Sequence, residues 1–180
     1  KGVMLTHRNV VSNVQAVLTH VAPDTDDIFL SFLPLSHTFE RTAGYYLAIA
    51  SGSCVVYARS VNQLAEDLKS VKPTVLISVP RIYERVHAKL LEKLAPSPFK
   101  MRLFEAAQLV GWRRFCVAQG LPLTNPTSAE EKAAGLWRYL PWPLLQRLIA
   151  KPLLAQFGGW VRIAVSGGVP LSPAIAHCLL

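Results

Sequence analysis

Four short apolar runs constrain this chain more than anything else in it. "DIFLSFLPL" (27–35), "SCVVYA" (53–58), "TVLISVP" (74–80) and "WVRIAVSGG" (160–168) are rich in β-branched or aromatic residues and continuous rather than alternating. A strand with one wet face alternates polar and apolar side chains. A strand apolar throughout belongs in a parallel sheet covered on both faces. Parallel neighbours need long crossovers, and helical patterns lie between the runs. "SVNQLAEDLKSV" opens with Ser60 and Gln63 at capping-box spacing and sets Leu64, Leu68 and Val71 on one stripe. "PRIYERVHAKLLEKLA" puts Ile82, Val86 and Leu90 at i, i+4 and i+8, with Pro80 ending the strand before it. The expected class is therefore α/β: a layered, mostly parallel sheet flanked by helices.

A chain of 180 residues, 51% hydrophobic and 17% charged, is long enough and apolar enough for one domain with a real core. Its longest uncharged stretch, Thr42 to Ala58, is interrupted by Ser51-Gly52-Ser53. It reads as a helix, a glycine stop and a buried strand rather than a membrane span. The first residues carry no basic segment followed by an apolar one, so no secretion signal is written there. Cys54, Cys116 and Cys178 are far apart and form no CxxC pair, which suits a reducing cytosol and offers no metal site. A net charge of +8 favours anionic partners of any kind and by itself selects none.

The alternation lapses between about Ser97 and Gly159. This stretch is helix-rich, broken by a loop-like "LTNPTS" at 123–128, and reads as an insert at 97–159. Within it, "LWRYLPWPLLQRLIAKPLL" mixes Trp137, Tyr139 and Trp142 with Arg138, Arg147 and Lys151. Helices packed on a sheet and an anchor at a lipid interface both fit that composition.

Chemistry is concentrated where strands end. In "AVSGGVPLSP" a strand feeds two glycines, then Ser172 and Pro173 open a helix in Ncap–N1 order. Glycines at the carboxyl end of a parallel strand let a ligand approach the backbone; an ordinary tight turn has the same sequence. In "LPLSHTFERTAGYY" His37 follows a strand and precedes Glu40 and Arg41 by one turn. In "SVPRIYERV" Arg81 is placed to meet a phosphate or carboxylate, or to pair with Glu84. No GxSxG, HExxH or pair of histidines at ligand spacing is present.

Taken in order, these segments resemble one family. "KGVMLTHRN" is similar to the end of the phosphate-binding loop of AMP-forming acyl-CoA synthetases, where a Ser/Thr/Gly-rich run ends in Pro-Lys-Gly. "FLPLSHTFERTAGYY" resembles the segment bordering their acyl pocket, "LISVPRIYERV" the Val-Pro-Arg motif of the long-chain fatty acid branch, and "AVSGGVPLSP" their adenine-binding turn. The resemblance spans the chain. It implies part of the large N-terminal domain of an adenylate-forming enzyme, with 1–180 a partial AMP-binding domain truncated at both ends.

The resemblance further implies a ligase that joins a fatty acid to coenzyme A through an acyl-adenylate, using ATP and Mg²⁺. Lys1 and Gly2 would close the phosphate loop, and Gly167, Gly168, Val169 and Pro170 would line the adenine. His37 would border the acyl carbonyl and adenylate, and Arg41 falls near the position that gates the fatty-acid tunnel. No role follows for Arg81, and no protein ligand to a metal. Fatty acid, ATP, coenzyme A and the parent's C-terminal domain are the expected partners, nucleic acid is not, and the location is cytoplasmic with peripheral contact on a membrane's inner face. With the Ser/Thr/Gly run and the downstream Tyr-Gly-x-Thr-Glu motif missing, these 180 residues alone are expected to be inactive. Two other readings stand beside this one. The first is a different adenylate-forming enzyme (aryl-CoA ligase, fatty acyl-AMP ligase or adenylation domain). The second is a non-catalytic basic module docking on membranes.

Overall fold

The computed structural model describes residues 2–122, 136, 139–172 and 175–176. It contains a four-stranded, wholly parallel sheet with helices, the expected class. The strands are β1 (Ile28–Ser31), β2 (Cys54–Tyr57), β3 (Val75–Ser78) and β4 (Ile163–Ser166), in spatial order β2-β1-β3-β4. Each falls inside one of the four apolar runs and is shorter than it. In β1 and β3, the inner pair, almost every residue is buried, as a continuous apolar run demands. The runs at 53–58 and 160–168 were also expected to be buried strands, but β2 and β4 lie at the edges: Cys54, Tyr57 and Ala164 are exposed and the other strand residues half-buried.

The chain forms two compact units. One comprises residues 1–79 and 155–169 and holds the whole sheet. Helix α1 (His7–Leu18) starts at Thr6, whose hydroxyl accepts from the Asn9 N–H while the Asn9 side chain returns the bond to the Thr6 N–H. Val14, Val17 and Leu18 of α1 pack with Phe29, Val75 and Ile77 on one face of the sheet. A seven-residue π-helix, Glu40–Tyr46, and α2 (Leu47–Ser51) cover the same face through Ala43, Leu47 and Ala48. Gly52 then ends the helix in the left-handed region, the stop its sequence announces. Leu30 and Leu76 alternate to the opposite face and are equally buried. Full burial of such a side chain contributes about 1.5–3 kcal/mol, so this core is the main source of the unit's stability. Helix α3 (Leu64–Val71) buries Leu64 and Leu68 and packs against the turn Ala155–Phe157. The Gln63 N–H donates to Ser60 Oγ and the Ser60 hydroxyl to Gln63 Oε1, half of a capping box, but in the turn before the helix, and Gln63 is its N-cap.

The second unit, residues 80–154 and 170–180, is helical among its described residues. Helix α4 (Pro80–Leu94) begins directly after β3 and buries Tyr83, with Ile82, Val86 and Leu90 half-buried. Helix α5 (Pro98–Gln119) starts at Ser97, which accepts from the Lys100 N–H, with Pro98 at its first position. Leu103, Ala106 and Ala107 of α5 enclose Leu145, while Phe104 and Leu153 pack with Leu90, Leu91 and Leu94. The side chain of Arg114 lies over the ring of Trp142, 5.7 Å from its centroid. No described helix is long and apolar enough to cross a membrane. The "LTNPTS" loop, Trp137, Arg138, Pro173 and Cys178 lie outside the described residues.

Candidate functional site

All four strands run the same way, so their carboxyl ends form one edge: Ser31, Tyr57, Ser78 and Ser166. From β1 the chain goes to β2 on one side, and β3 with β4 lies on the other. The connections leaving β1 and β3 therefore diverge, and open α/β sheets bind ligands in the crevice at such a switch point.

The loop 32–39 leaves β1 at that point and is braced by four hydrogen bonds. At its base, the buried hydroxyl of Ser31 donates to Glu40 Oε1 at 2.6 Å, joining the loop's two ends. In the middle, the His37 N–H donates to the Pro34 carbonyl at 2.9 Å. Arg41 Nε donates to the Leu35 carbonyl at 2.9 Å, and the Arg41 N–H donates to the His37 carbonyl at 3.0 Å. His37 itself is exposed. Its imidazole thus sits on a fixed turn, open to a ligand, at the carboxyl edge of the sheet.

Glu40 was named from sequence only as a polar neighbour of His37 and given no role of its own. It is only 1% exposed, and its second oxygen, Oε2, is buried with no hydrogen-bond partner among the described residues. Burial pushes the carboxyl's pKa above its ordinary value, and the Ser31 hydrogen bond only partly offsets this. The carboxyl group occupies a notch left by Gly44, one turn on: a Cβ there would meet its atoms at 2.6–2.9 Å. The spacing of Glu40 and Gly44, an acid and a glycine four residues apart, is the sequence signal that could have pointed to it.

The second arm follows β4. The Gly167 N–H donates to the Ser78 carbonyl at 3.2 Å, carrying the ladder one residue past the strands. Gly168 has φ 88°, a left-handed conformation that glycine adopts freely. Val169 and Pro170 continue the turn and are exposed. Further on, the N–H groups of Ile175 and Ala176 both donate to the Ser172 carbonyl, the start of a helical turn. The ring of Phe39 lies against Gly167 closely enough that a Cβ would come within 3.0 Å of three ring carbons. Segments 128 residues apart in sequence thus meet at the same edge.

Gly2 is exposed at the start of the described residues, ahead of the Thr6 cap, and Lys1 lies outside them. Arg81 is exposed in the first turn of α4, in the helical unit.

The sequence profile of the family described as AMP-binding enzyme matches residues 1–179. The chain belongs to this family. The resemblance carried by its four motifs is borne out across its length. Among curated relatives, the peroxisomal long chain acyl-CoA synthetase 6 of Arabidopsis thaliana is 34% identical over 181 residues, covering 99% of this chain and 23% of that protein. Long-chain-fatty-acid–CoA ligase 5 of Mus musculus is 31% identical over 179 residues, 97% of this chain and 23% of its own length. Long chain acyl-CoA synthetase 1 of Arabidopsis thaliana is 31% identical, with 99% and 26% covered. The chain thus spans about a quarter of these AMP-binding relatives. No solved structure matches.

Proposed function

We propose that the chain forms part of the adenylating body of a long-chain fatty acid–CoA ligase. The observation that carries this reading is the meeting of the His37 loop with the Gly167 turn at the carboxyl edge of the sheet, through Phe39. An acyl site and a nucleotide site must adjoin in such an enzyme, because one oxygen of the acid has to reach the α-phosphorus.

The chemistry needs two displacements. A carboxylate is a poor electrophile, so its oxygen first attacks the α-phosphorus of ATP; the bond to the bridging oxygen breaks and diphosphate leaves. The thiolate of coenzyme A then attacks the acyl carbon, and AMP departs with the electron pair of the broken C–O bond. Gly167 and Gly168 would let adenine lie against bare backbone, with Val169 and Pro170 continuing the wall. Lys1 and Gly2 would close on the phosphates, where positive charge and N–H donors stabilise developing negative charge. His37, held on its braced turn, would border the acyl carbonyl, and Arg41 the mouth of the acyl tunnel. Among the described residues, no three His, Cys, Asp or Glu side chains come together as a metal site. A Mg²⁺ bound with the nucleotide would neutralise charge developing on the phosphates.

Each buried methylene of an acyl tail is worth about 0.8 kcal/mol, and one methylene discriminates only about 10–200-fold. A range of chain lengths is therefore expected. The test is thioester formation by the intact protein with ATP, Mg²⁺, coenzyme A and a series of medium- and long-chain acids. Thioester, AMP and diphosphate should form in equal amounts, with exchange of labelled diphosphate into ATP when coenzyme A is withheld. Activation of aryl or amino acids but not fatty acids, or release of product without coenzyme A, would overturn the reading.

A peripheral membrane contact is a second proposal. In the helical run 142–154, Leu145 and Leu153 face inward, while Leu144 and Leu148 are exposed beside Arg147 and Lys151. Leucines among cations on an outward face suit an anionic bilayer surface. Sedimentation of the intact protein with vesicles should require acidic lipid and weaken at high salt; equal binding to neutral vesicles at any salt would defeat this idea.

A further inference from the structure

Unlike Gly168, Gly167 is not among the residues with positive φ. Alanine would therefore meet no left-handed strain there. What excludes a side chain at Gly167 is the ring of Phe39, three of whose carbons would lie within 3.0 Å of a Cβ. The ring cannot easily retreat. Phe39 is half-buried against the core formed by Phe29, Ala43, Leu47, Val75 and Ile77. The next residue, Glu40, is pinned by Ser31, and two residues back His37 is held by the bonds to Pro34 and Arg41. Phe39 is thus a rigid strut whose one end is the His37 loop and whose other end is the backbone of the Gly167 turn.

We propose that Phe39 is a positioning residue that couples the two arms of the site, so that seating an acid beside His37 and seating a nucleotide on the Gly167–Pro170 turn become one event. This rests on the functional reading above and extends it to the energetics between the two ligands. If the turn shifts when a nucleotide binds, the strut transmits that shift to the His37 loop, and by reciprocity an acid that fixes the loop alters the turn's affinity for nucleotide. Packed contacts of this kind carry such coupling because close-packed groups shift between discrete arrangements rather than deform smoothly.

The experiment is a steric double-mutant cycle in the intact protein with Gly167→Ala, Phe39→Leu and the pair. AMP binding is measured by calorimetry with and without palmitate, and thermal unfolding of each protein is recorded. In the wild type, palmitate should change AMP affinity by roughly 5–150-fold, the usual span for coupled sites. Phe39→Leu should bring that factor toward one while leaving the protein folded, since leucine keeps an apolar partner for the core. Gly167→Ala should weaken AMP binding more than tenfold alone, yet cost less than about threefold in the Phe39→Leu background. An equal loss in both backgrounds, or unchanged coupling in Phe39→Leu, would overturn the proposal. Should the wild type bind neither AMP nor palmitate, the functional reading fails instead. The steric pair is then judged by the melting temperatures: Gly167→Ala lowered, and restored when Phe39 is leucine.

Discussion

The two ends of the inner strands β1 and β3 are built on opposite plans. At the amino end, Asp27 is buried at 2% exposure and every oxygen is used. Its Oδ1 accepts from Thr74 Oγ1 at 2.6 Å and Arg162 Nε at 2.8 Å, and its Oδ2 from the Asp24 N–H at 2.8 Å and from the Arg162 guanidinium. Thr74 in turn accepts from the Ile28 N–H. One carboxylate thus ties together the starts of β1, β3 and β4. At the carboxyl end, Glu40 is just as buried but only half satisfied, His37 is exposed, and the turn after β4 is bare backbone. A fully paired buried acid holds a fold together. A half-paired one costs stability, and folds keep such features mainly where something other than stability is served.

Breaking the amino end should produce the larger loss. Asp27→Ala strands the Arg162 guanidinium and the Thr74 hydroxyl, and urea unfolding should show a cost of about 2–4 kcal/mol. This sits toward the lower part of the range for broken buried pairs, because the Arg162 side chain is 44% exposed and can turn to water. Burial alone would raise the Asp27 pKa, but the bonds from Arg162, Thr74 and the Asp24 N–H outweigh it and hold the carboxyl below its ordinary value. Its folded pKa being depressed, its contribution is complete above the ordinary value near 3.8 and disappears as pH falls through the folded pKa. Asp27→Asn should therefore flatten the acid limb of stability against pH. A steep limb surviving in that variant would show that the network does not carry it.

The carboxyl end is tested by filling rather than deleting. Gly44→Ala puts a methyl into the notch that holds the Glu40 carboxyl, with approaches of 2.6–2.9 Å. Overpacking of this kind costs about 1–3 kcal/mol. The thermal shift should shrink when Glu40→Ala is added, since the clash partner is then gone. A shift of equal size in both backgrounds would mean that Gly44 answers to the π-helix itself and not to Glu40.

The strands and the α/β class were legible because a continuous apolar run has few other uses in a chain of this size. Their ends were not. Phe32 to Leu35 extend the first run but belong to the braced loop after β1 rather than to the ladder. The order β2-β1-β3-β4 was illegible too, since alternation of strands and helices says nothing about which side of β1 the chain will choose. His37, Gly167 and Gly168 were legible as residues following strands, where the structure places them; that they form one site is what the family resemblance implies. Phe39 and Glu40 were not, because each acquires its meaning from a partner that only the fold supplies: Gly167 for one, Ser31 for the other. The π-helical form of Glu40–Tyr46, a geometry frequent at functional sites, likewise has no signature in propensity.

The smallest effect separates the two ends most cleanly, because it has the opposite sign. Burial raises the Glu40 pKa in the folded chain above the ordinary 4.5. Below 4.5 both folded and unfolded chains hold the proton, and Glu40 makes no pH-dependent contribution. Above it the unfolded chain releases the proton while the folded chain keeps it, so stability declines with rising pH until the raised folded value is passed, and the penalty is constant thereafter. Asp27 loses stability on acidification; Glu40 regains it. Glu40→Gln cannot titrate and can still accept from Ser31. The difference in unfolding free energy between this variant and the wild type should therefore grow from pH 4.5 upward and level off, leaving the variant more stable at neutral pH by about 0.5–2 kcal/mol, the scale common when a costly site feature is removed. If Glu40 were instead ionised and paired like Asp27, glutamine would destabilise at neutral pH and the difference would vanish on the acid side. The sign of that one curve decides whether the Glu40 carboxyl stabilises the fold or costs it.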